Sequence, residues 1–306
     1  MGKNLNPVDA QNEFPVMLSP NWPDYELLDS GNGEKLERFG NYYLIRPETG
    51  AEWEPALSRA VWLRKADATY HLSTGSLPGR WEFHRSIPLQ WEIQYKYLRF
   101  QIQLSLSRHI GVFPEQAGYW DRIYQRVQQA GYPINVLNLF GYTGIATLAA
   151  ASAGAQVVHV DASSRAIRWA RLNQQLSNLS DATVRWLVDD ALQFVEKEIR
   201  RGRQYEGLIL DPPKFGHGPD NKTWEFDKLF PYLMEKCVEL LGPNPRFIAL
   251  TAYSSGITPA VPNKLFGEIM KRWEGKTSCG YIALQVKKRE KLLSKAVYGR
   301  WEANSK

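Results

Sequence analysis

Residues Asp211-Pro212-Pro213-Lys214-Phe215 follow the short apolar run 206–210. Consecutive prolines stiffen a loop and remove two backbone donors. The Asp211 side chain and nearby carbonyls are thereby held toward the end of the preceding strand. Such a loop can set a planar amine or a ring nitrogen against an electrophile. Phe215 can stack on a base, and Lys214 can meet a phosphate. Asp211, Pro212, Pro213, Lys214 and Phe215 form the candidate catalytic group. Either Asp211 takes a proton or the carbonyls beside it do the orienting.

Three other strand ends carry matching chemistry. The run 136–140 leads into Asn138-Leu139-Phe140-Gly141-Tyr142-Thr143-Gly144. Glycine lets a backbone turn sharply and approach a ligand closely. The helix that follows points its N-terminus at the same spot. Asp161 ends the next strand, twenty residues after Gly141, where a carboxylate can grip a vicinal ribose diol. Ala162 and Ser163 follow it. Asp189-Asp190-Ala191 ends the third strand. We take Asp190 as the acceptor for an adenine amine and Asp189 as solvated; two acids there also cap the next helix.

The glycines do not fit Gly-x-Gly-x-x-Gly, because Tyr142 fills the middle place and Ala146 the last. A dinucleotide needs that room for its pyrophosphate. S-adenosylmethionine has none, so Gly-x-x-Gly suffices. A nicotinamide dehydrogenase is disfavoured on the same ground.

These ends must be positioned by alternating elements. The spacing predicts helices over 115–129, 144–153, 164–175, 191–201, 224–241 and 262–273. Strands are predicted over 136–140, 156–160, 184–188, 206–210, 247–251, 281–287 and 296–301. Strands alternating with helices of ten or more residues imply a parallel sheet. The last two strands have no room for a helix between them and should be antiparallel. Residues 24–104 read as a β-rich N-terminal domain ending in a hairpin, with strand-like runs at 42–45 and 60–63. Residues 1–23 read as a flexible lead-in, and residues 105–306 as the cofactor-binding domain.

Composition bounds the function. The chain has 306 residues, 43% hydrophobic and 23% charged, with net charge +6. Cys237 and Cys279 are its two cysteines, which suits a reducing compartment and excludes a disulfide framework. No apolar signal core opens the chain, and Asn6 breaks a myristoylation pattern. A cytoplasmic location is expected. Residues 134–160 lack charge, but interspersed Asn, Thr, Ser and Gly favour buried strand-turn-helix-strand over a membrane span. Residues 271–306 hold ten Lys or Arg and three acids, a net +7. This is either a surface for a polyanion or a solvated face. No metal site is expected.

The run 135–254 resembles the class I methyltransferases of the bacterial large-subunit ribosomal RNA group, which share an Asp-Pro-Pro-(Lys/Thr)-Phe loop. Phe113-Pro114-Glu115-Gln116 is similar to a segment that lies beside the cofactor in that group. The resemblance implies a Rossmann-like α/β fold: a mostly parallel sheet with an antiparallel terminal strand. It implies S-adenosylmethionine as cofactor and RNA, ribosomal above all, as substrate. It implies cofactor contacts from Phe113, Glu115, Gln116, Asn138, Phe140, Gly141, Thr143, Gly144, Asp161, Ala162, Ser163, Asp190, Ala191 and Asp211. Residues 24–85 stand where the group carries a small RNA-binding β-barrel. One departure matters. The cytosine enzymes of the group attack with a Cys in a Thr-Cys-Ser stretch, and here that stretch is Thr251-Ala252-Tyr253-Ser254. Transfer without a covalent Cys intermediate is expected. The alternative is a small-molecule or protein methyltransferase on the same scaffold.

Overall fold

The computed structural model describes residues 14–75, 77–218, 223–253, 256–286 and 291–304. The chain opens with β1 (Val16–Leu18), β2 (Tyr25–Gly31), β3 (Glu34–Phe39), β4 (Tyr42–Pro47), α1 (Arg59–Lys65), β5 (Ala68–His71) and β6 (Arg80–Phe83). The hairpin β7 (Gln90–Tyr95) and β8 (Leu98–Gln103) follows. A 3-10 turn at Pro114–Gln116 leads into α2 (Ala117–Gln128). Then come β9 (Asn135–Leu139), α3 (Ile145–Ser152), β10 (Gln156–Asp161), α4 (Ser164–Leu176), β11 (Val184–Val188), α5 (Ala191–Arg200) and β12 (Gly207–Leu210). The chain continues with β13 (Phe215–His217), β14 (Thr223–Glu225), α6 (Phe226–Glu239), β15 (Phe247–Ala252), α7 (Ala260–Ile269), β16 (Gly275–Gln285) and β17 (Leu292–Ala303).

An eight-stranded sheet runs in the order β1-β16-β17-β15-β12-β9-β10-β11. Strands β15, β12, β9, β10 and β11 are mutually parallel. Strand β17 is antiparallel to both β15 and β16, as the missing helix between the last strands requires. The β12 run Gly207–Leu210 is buried throughout, because helices cover both faces of a parallel sheet. Order reverses between β9 and β12, and ligand crevices of open α/β sheets form at such a point. Asp211 and the Gly141 loop both lie there.

Two expectations are corrected. The lead-in is not structureless from residue 16: Val16, Met17 and Leu18 pair in parallel with Tyr281, Ile282 and Ala283 and extend the main sheet. Residues 1–13 lie outside the described residues. The run 60–63 is helical rather than strand-like. Trp62 and Ala66, one turn apart, are buried against Leu36 and Ile45. The Trp62 indole also donates to buried Asp29 at 3.0 Å. That helix connects β4 to its parallel neighbour β5.

The N-terminal sheet, β2-β3-β4-β5-β6, meets the main sheet through buried charge. Glu37 receives Arg46 at 2.7 Å and Lys35 at 3.3 Å, and Glu48 receives Lys35 and Lys295. The basic C-terminal segment is therefore partly spent inside the protein. Lys295 pairs with the buried Glu48. Lys287, Lys288, Arg289 and Lys306 lie outside the described residues.

Candidate active site

Asp211 leaves the end of β12 and turns its carboxyl into a cavity lined by Gly111, Phe113, Gln116, Phe140, Gly141 and Thr251 among others. Gln116 Nε2 donates to one carboxyl oxygen at 2.9 Å, and the Thr251 hydroxyl donates to the other. Burial pushes the Asp211 carboxyl up to about 6, against the pull of these two hydrogen bonds. The same Gln116 nitrogen donates to the Tyr253 hydroxyl at 3.0 Å. Burial pushes that phenol upward, with Glu115 beside it. Glu115 is 2% exposed, on the 3-10 turn that carries Gln116. Gln116 and Thr251 thus fix one carboxylate from two elements, the 3-10 turn and β15, and Tyr253 holds the same Gln116 nitrogen.

The rest of the motif is pinned by the hairpin after it. The Pro213 carbonyl accepts from Trp224 Nε1 at 2.7 Å, and the Lys214 carbonyl accepts from the Phe226 amide at 3.0 Å. Pro212 is buried beneath. Phe215 is 63% exposed, and Lys214 Nζ lies 5.6 Å from its ring centre. This loop therefore offers an open aromatic face with an ammonium beside it.

The glycines of the first-strand loop also answer a packing demand. A side chain at Gly141 would come within 2.3 Å of the His159 ring, and one at Gly144 within 2.9 Å of Ala170. Packing against protein therefore requires glycine at both positions, and Gly141 also lines the cavity. Of the two, Gly144 alone is left-handed, at φ 82°; the other left-handed turns fall on Phe140 at 58° and Tyr142 at 49°. Asn138 is 1% exposed and donates to Thr147, whose hydroxyl meets His159 Nδ1, each at 2.8 Å. Burial lowers His159 to about 3, so the ring is neutral and packed. Thr143 turns inward and donates to the Gly111 carbonyl at 2.6 Å.

Asp161 stands at the end of β10, next to that loop. Its oxygens accept from the amides of Tyr142 and Ser163, each at 2.8 Å. Each oxygen keeps a lone-pair direction for a further donor. Burial raises this carboxyl above its ordinary range. Ser163 caps α4 by accepting from Ala166, and Ala162 lies between the two. Asp190 caps α5 at Gln193, with Ala191 buried as its first residue. Asp189 is not simply solvated: Lys197 pairs with it at 2.8 Å. Asp161 bonds the cavity-lining Tyr142, Asp190 lies past the end of β11, and neither is in the cavity lining.

Aromatic rings close the near side. Phe113 lies 5.8 Å from Tyr142 and 5.5 Å from Tyr253. Sequence reading singled out neither Tyr253, Tyr142 nor Trp224. The available signal was position, since Tyr253 follows directly on β15 at the ligand edge of the sheet. Ser254, Ser255 and the His217 side chain lie outside the described residues. Among the described residues no His, Cys, Asp and Glu group could hold a metal, and no helix is long and apolar enough to cross a membrane.

A crystal structure of an S-adenosylmethionine-dependent methyltransferase from Agrobacterium tumefaciens superposes with a TM-score of 0.89 at 38% identity, covering 95% of this chain and 94% of that one. The large-subunit ribosomal RNA methyltransferase K/L of Shewanella frigidimarina (strain NCIMB 400) is 34% identical over 116 residues, 37% of this chain and 16% of that protein. Methyltransferase I of the same group and organism is 35% identical over 124 residues, 40% of this chain and 30% of its own length. The chain therefore spans less than a third of either curated relative. The family described as S-adenosylmethionine-dependent methyltransferase matches residues 78–261, more than half of the chain. With the sheet order and the strand-end carboxylates in place, the chain belongs to the S-adenosylmethionine-dependent methyltransferases.

Proposed function

We propose that this methyltransferase modifies a base of ribosomal RNA by direct transfer, without an enzyme thiolate. The observation that carries the RNA reading is the open face of Phe215 beside Lys214, directly after Asp211. An exposed ring stacks an unpaired base, and an ammonium next to it meets the flanking phosphate. The ribosomal RNA substrates in the names of the two Shewanella relatives support the same class.

The residues fit the cofactor. Asp161, held by two amides, accepts the ribose diol. Asp190 accepts from adenine, and Phe113 and Tyr142 wall the cavity. Bound S-adenosylmethionine supplies a methyl group on a sulfonium, with a neutral thioether as leaving group. Asp211 orients the acceptor, and Gln116 and Thr251 keep its carboxylate from turning. Positioning of this kind supplies much of the acceleration when the leaving group is already good. Residues 105–306 hold the cofactor in this assignment, and the β-rich residues 24–104 meet the RNA.

Neither cysteine suits a covalent route. Cys237 is fully buried in α6 and burial drives its thiol strongly upward; Cys279 is 5% exposed and pushed up to about 11. Both are protonated at neutral pH, and only a thiolate attacks. The test is transfer from methyl-labelled cofactor to RNA from cells lacking the gene, followed by mass mapping of nucleosides. One methylated base should depend on the protein, and Cys237→Ala with Cys279→Ala should keep the transfer within about threefold of wild type. Label in protein or metabolites, with RNA unlabelled, would overturn the substrate class.

A further inference from the structure

Trp224 belongs to none of the motifs above, yet it touches two of the loops that build the site. Its side chain is 5% exposed. Its Nε1 donates to the Pro213 carbonyl at 2.7 Å, one residue from Lys214 and two from Asp211. Its ring lies 4.8 Å from that of Phe140, with the planes inclined at 54°. Phe140 starts the Gly141 loop, whose next amide, that of Tyr142, holds Asp161.

A second observation concerns strain. Phe140 adopts φ 58°, a left-handed conformation that bulky residues rarely take. Such a conformation persists only where its surroundings determine it. On one side the Gly141 amide donates to the Val160 carbonyl at 3.2 Å. On the other side stands the Trp224 ring. The hairpin that carries Trp224 is itself anchored. Gly216 pairs with Trp224 across it, and the Phe226 amide holds the Lys214 carbonyl. Beyond β13, Gly218 comes so near Asp190 that an added side chain would lie 3.1 Å from its Oδ2. This hairpin therefore contacts the first, third and fourth strand ends together.

We infer that Trp224 is a positioning residue that couples the cofactor loop to the acceptor loop. Cofactor seated against residues 140–144 settles Phe140, Phe140 settles the indole, and the indole fixes Pro213 and thus Asp211. The link is reciprocal, because any binding free energy shared by two sites acts in both directions. The inference rests on the cofactor assignment above and not on the identity of the acceptor.

Hydrogen exchange with and without S-adenosylhomocysteine reads the link directly. In the wild type the ligand should protect peptides covering 138–144 and 211–216. In Trp224→Leu the first protection should stay and the second should disappear, with affinity for the ligand within about threefold of wild type and kcat about 100-fold lower. Trp224→Phe keeps the ring against Phe140 and loses the hydrogen bond to the Pro213 carbonyl, so it should weaken protection of 211–216 and lower kcat about tenfold, between wild type and Trp224→Leu. Phe140→Leu removes the same contact from the cofactor side and should reproduce the loss at 211–216; it also serves if Trp224→Leu does not fold. Equal protection of 211–216 in wild type and both leucine variants would overturn the inference, as would a parallel fall of kcat and cofactor affinity. A wild type that binds S-adenosylhomocysteine yet labels no RNA would sink the RNA reading alone, since the exchange measurement needs no acceptor.

Discussion

Asp211 shows how a site can tune one carboxyl with neutral neighbours. The ordinary range for this side chain is near 3.9, and burial brings it to about 6. Two donors, Gln116 and Thr251, limit that rise because they bond best to the ionised form. The carboxylate therefore predominates at neutral pH and is lost as pH falls through about 6. If the ionised form orients the acceptor, kcat/KM should drop about tenfold per pH unit below about 6. Asp211→Asn should abolish that limb and lower the neutral rate by about 100-fold or more. A rate-pH profile of the two proteins checks this, and an acid limb that survives in the variant would assign it elsewhere. Gln116→Glu is informative beside it: a second carboxyl at hydrogen-bond distance should move the limb to higher pH.

At the scale of elements, the site depends on how the β7–β8 hairpin is fastened to α4. The outer edge of β8 bonds to side chains instead of to another strand. Asn173 accepts from the Gln101 amide at 2.9 Å and donates to the Thr143 carbonyl at 2.9 Å. Ser177 bonds both backbone groups of Arg99. Asn173 is fully buried, so Asn173→Leu strands one amide and one carbonyl. We expect a loss of about 2–6 kcal/mol in urea unfolding, from two orphaned buried groups. Cofactor affinity should fall with it, because Thr143 sits in the loop that faces Asp161.

Much of this element layer was legible in the sequence, and the reasons differ from place to place. The run from β9 to β15 declares itself because each buried strand is a short apolar block and each helix shows a 3.6 period. The strand 184–188 matches residue for residue, and most other boundaries move by one to three residues. Helix α1 was hidden because Ala60-Val61-Trp62-Leu63 is apolar without a visible period, and tertiary burial of Trp62 decided its state. Strand β1 was hidden because its partner lies far along the chain, at residues 281–283. Asp161 could be picked out by its offset from Gly141, Asp190 by its place at a strand end and Asp211 by the double-proline motif that follows it. The bonds that hold Asp211 could not. Gln116 is separated from it by 95 positions and Thr251 by 40, and no local pattern encodes such pairs. The packing demand on the glycines was not legible, since His159 and Ala170, which fill the spaces they leave, lie far along the chain.

Across the whole molecule, buried charge joins the N-terminal sheet to the C-terminal hairpin. Glu48 and Lys295 meet across 247 positions of sequence. Burial alone would raise Glu48, but Lys35 and Lys295 outweigh it and bring the carboxyl from 4.5 to about 2. The sign follows from linkage. A carboxyl depressed in the folded state contributes stability above its unfolded value, and the contribution is lost as pH falls from about 4.5 through about 2. The amount is about 3 kcal/mol at neutral pH. Glu48→Gln should lose that amount at pH 7 and flatten the acid side of the unfolding curve between those limits. Breaking a buried ion pair leaves a charge uncompensated, so the loss should not be smaller at low salt. A variant as stable as wild type at pH 7 would show that the N-terminal sheet is held by packing alone.

In the proposed function the cofactor is cradled by Asp161 beside the Gly141 loop. Calorimetric titration of S-adenosylhomocysteine into wild type and Asp161→Ala tests that most directly. Two charge-assisted hydrogen bonds to a ribose diol imply at least a 100-fold weaker affinity in the variant, at about 1.5–3 kcal/mol each, while the folded fraction is unchanged. Equal affinity in the two proteins, or heat released by a nicotinamide dinucleotide and none by S-adenosylhomocysteine, would contradict it.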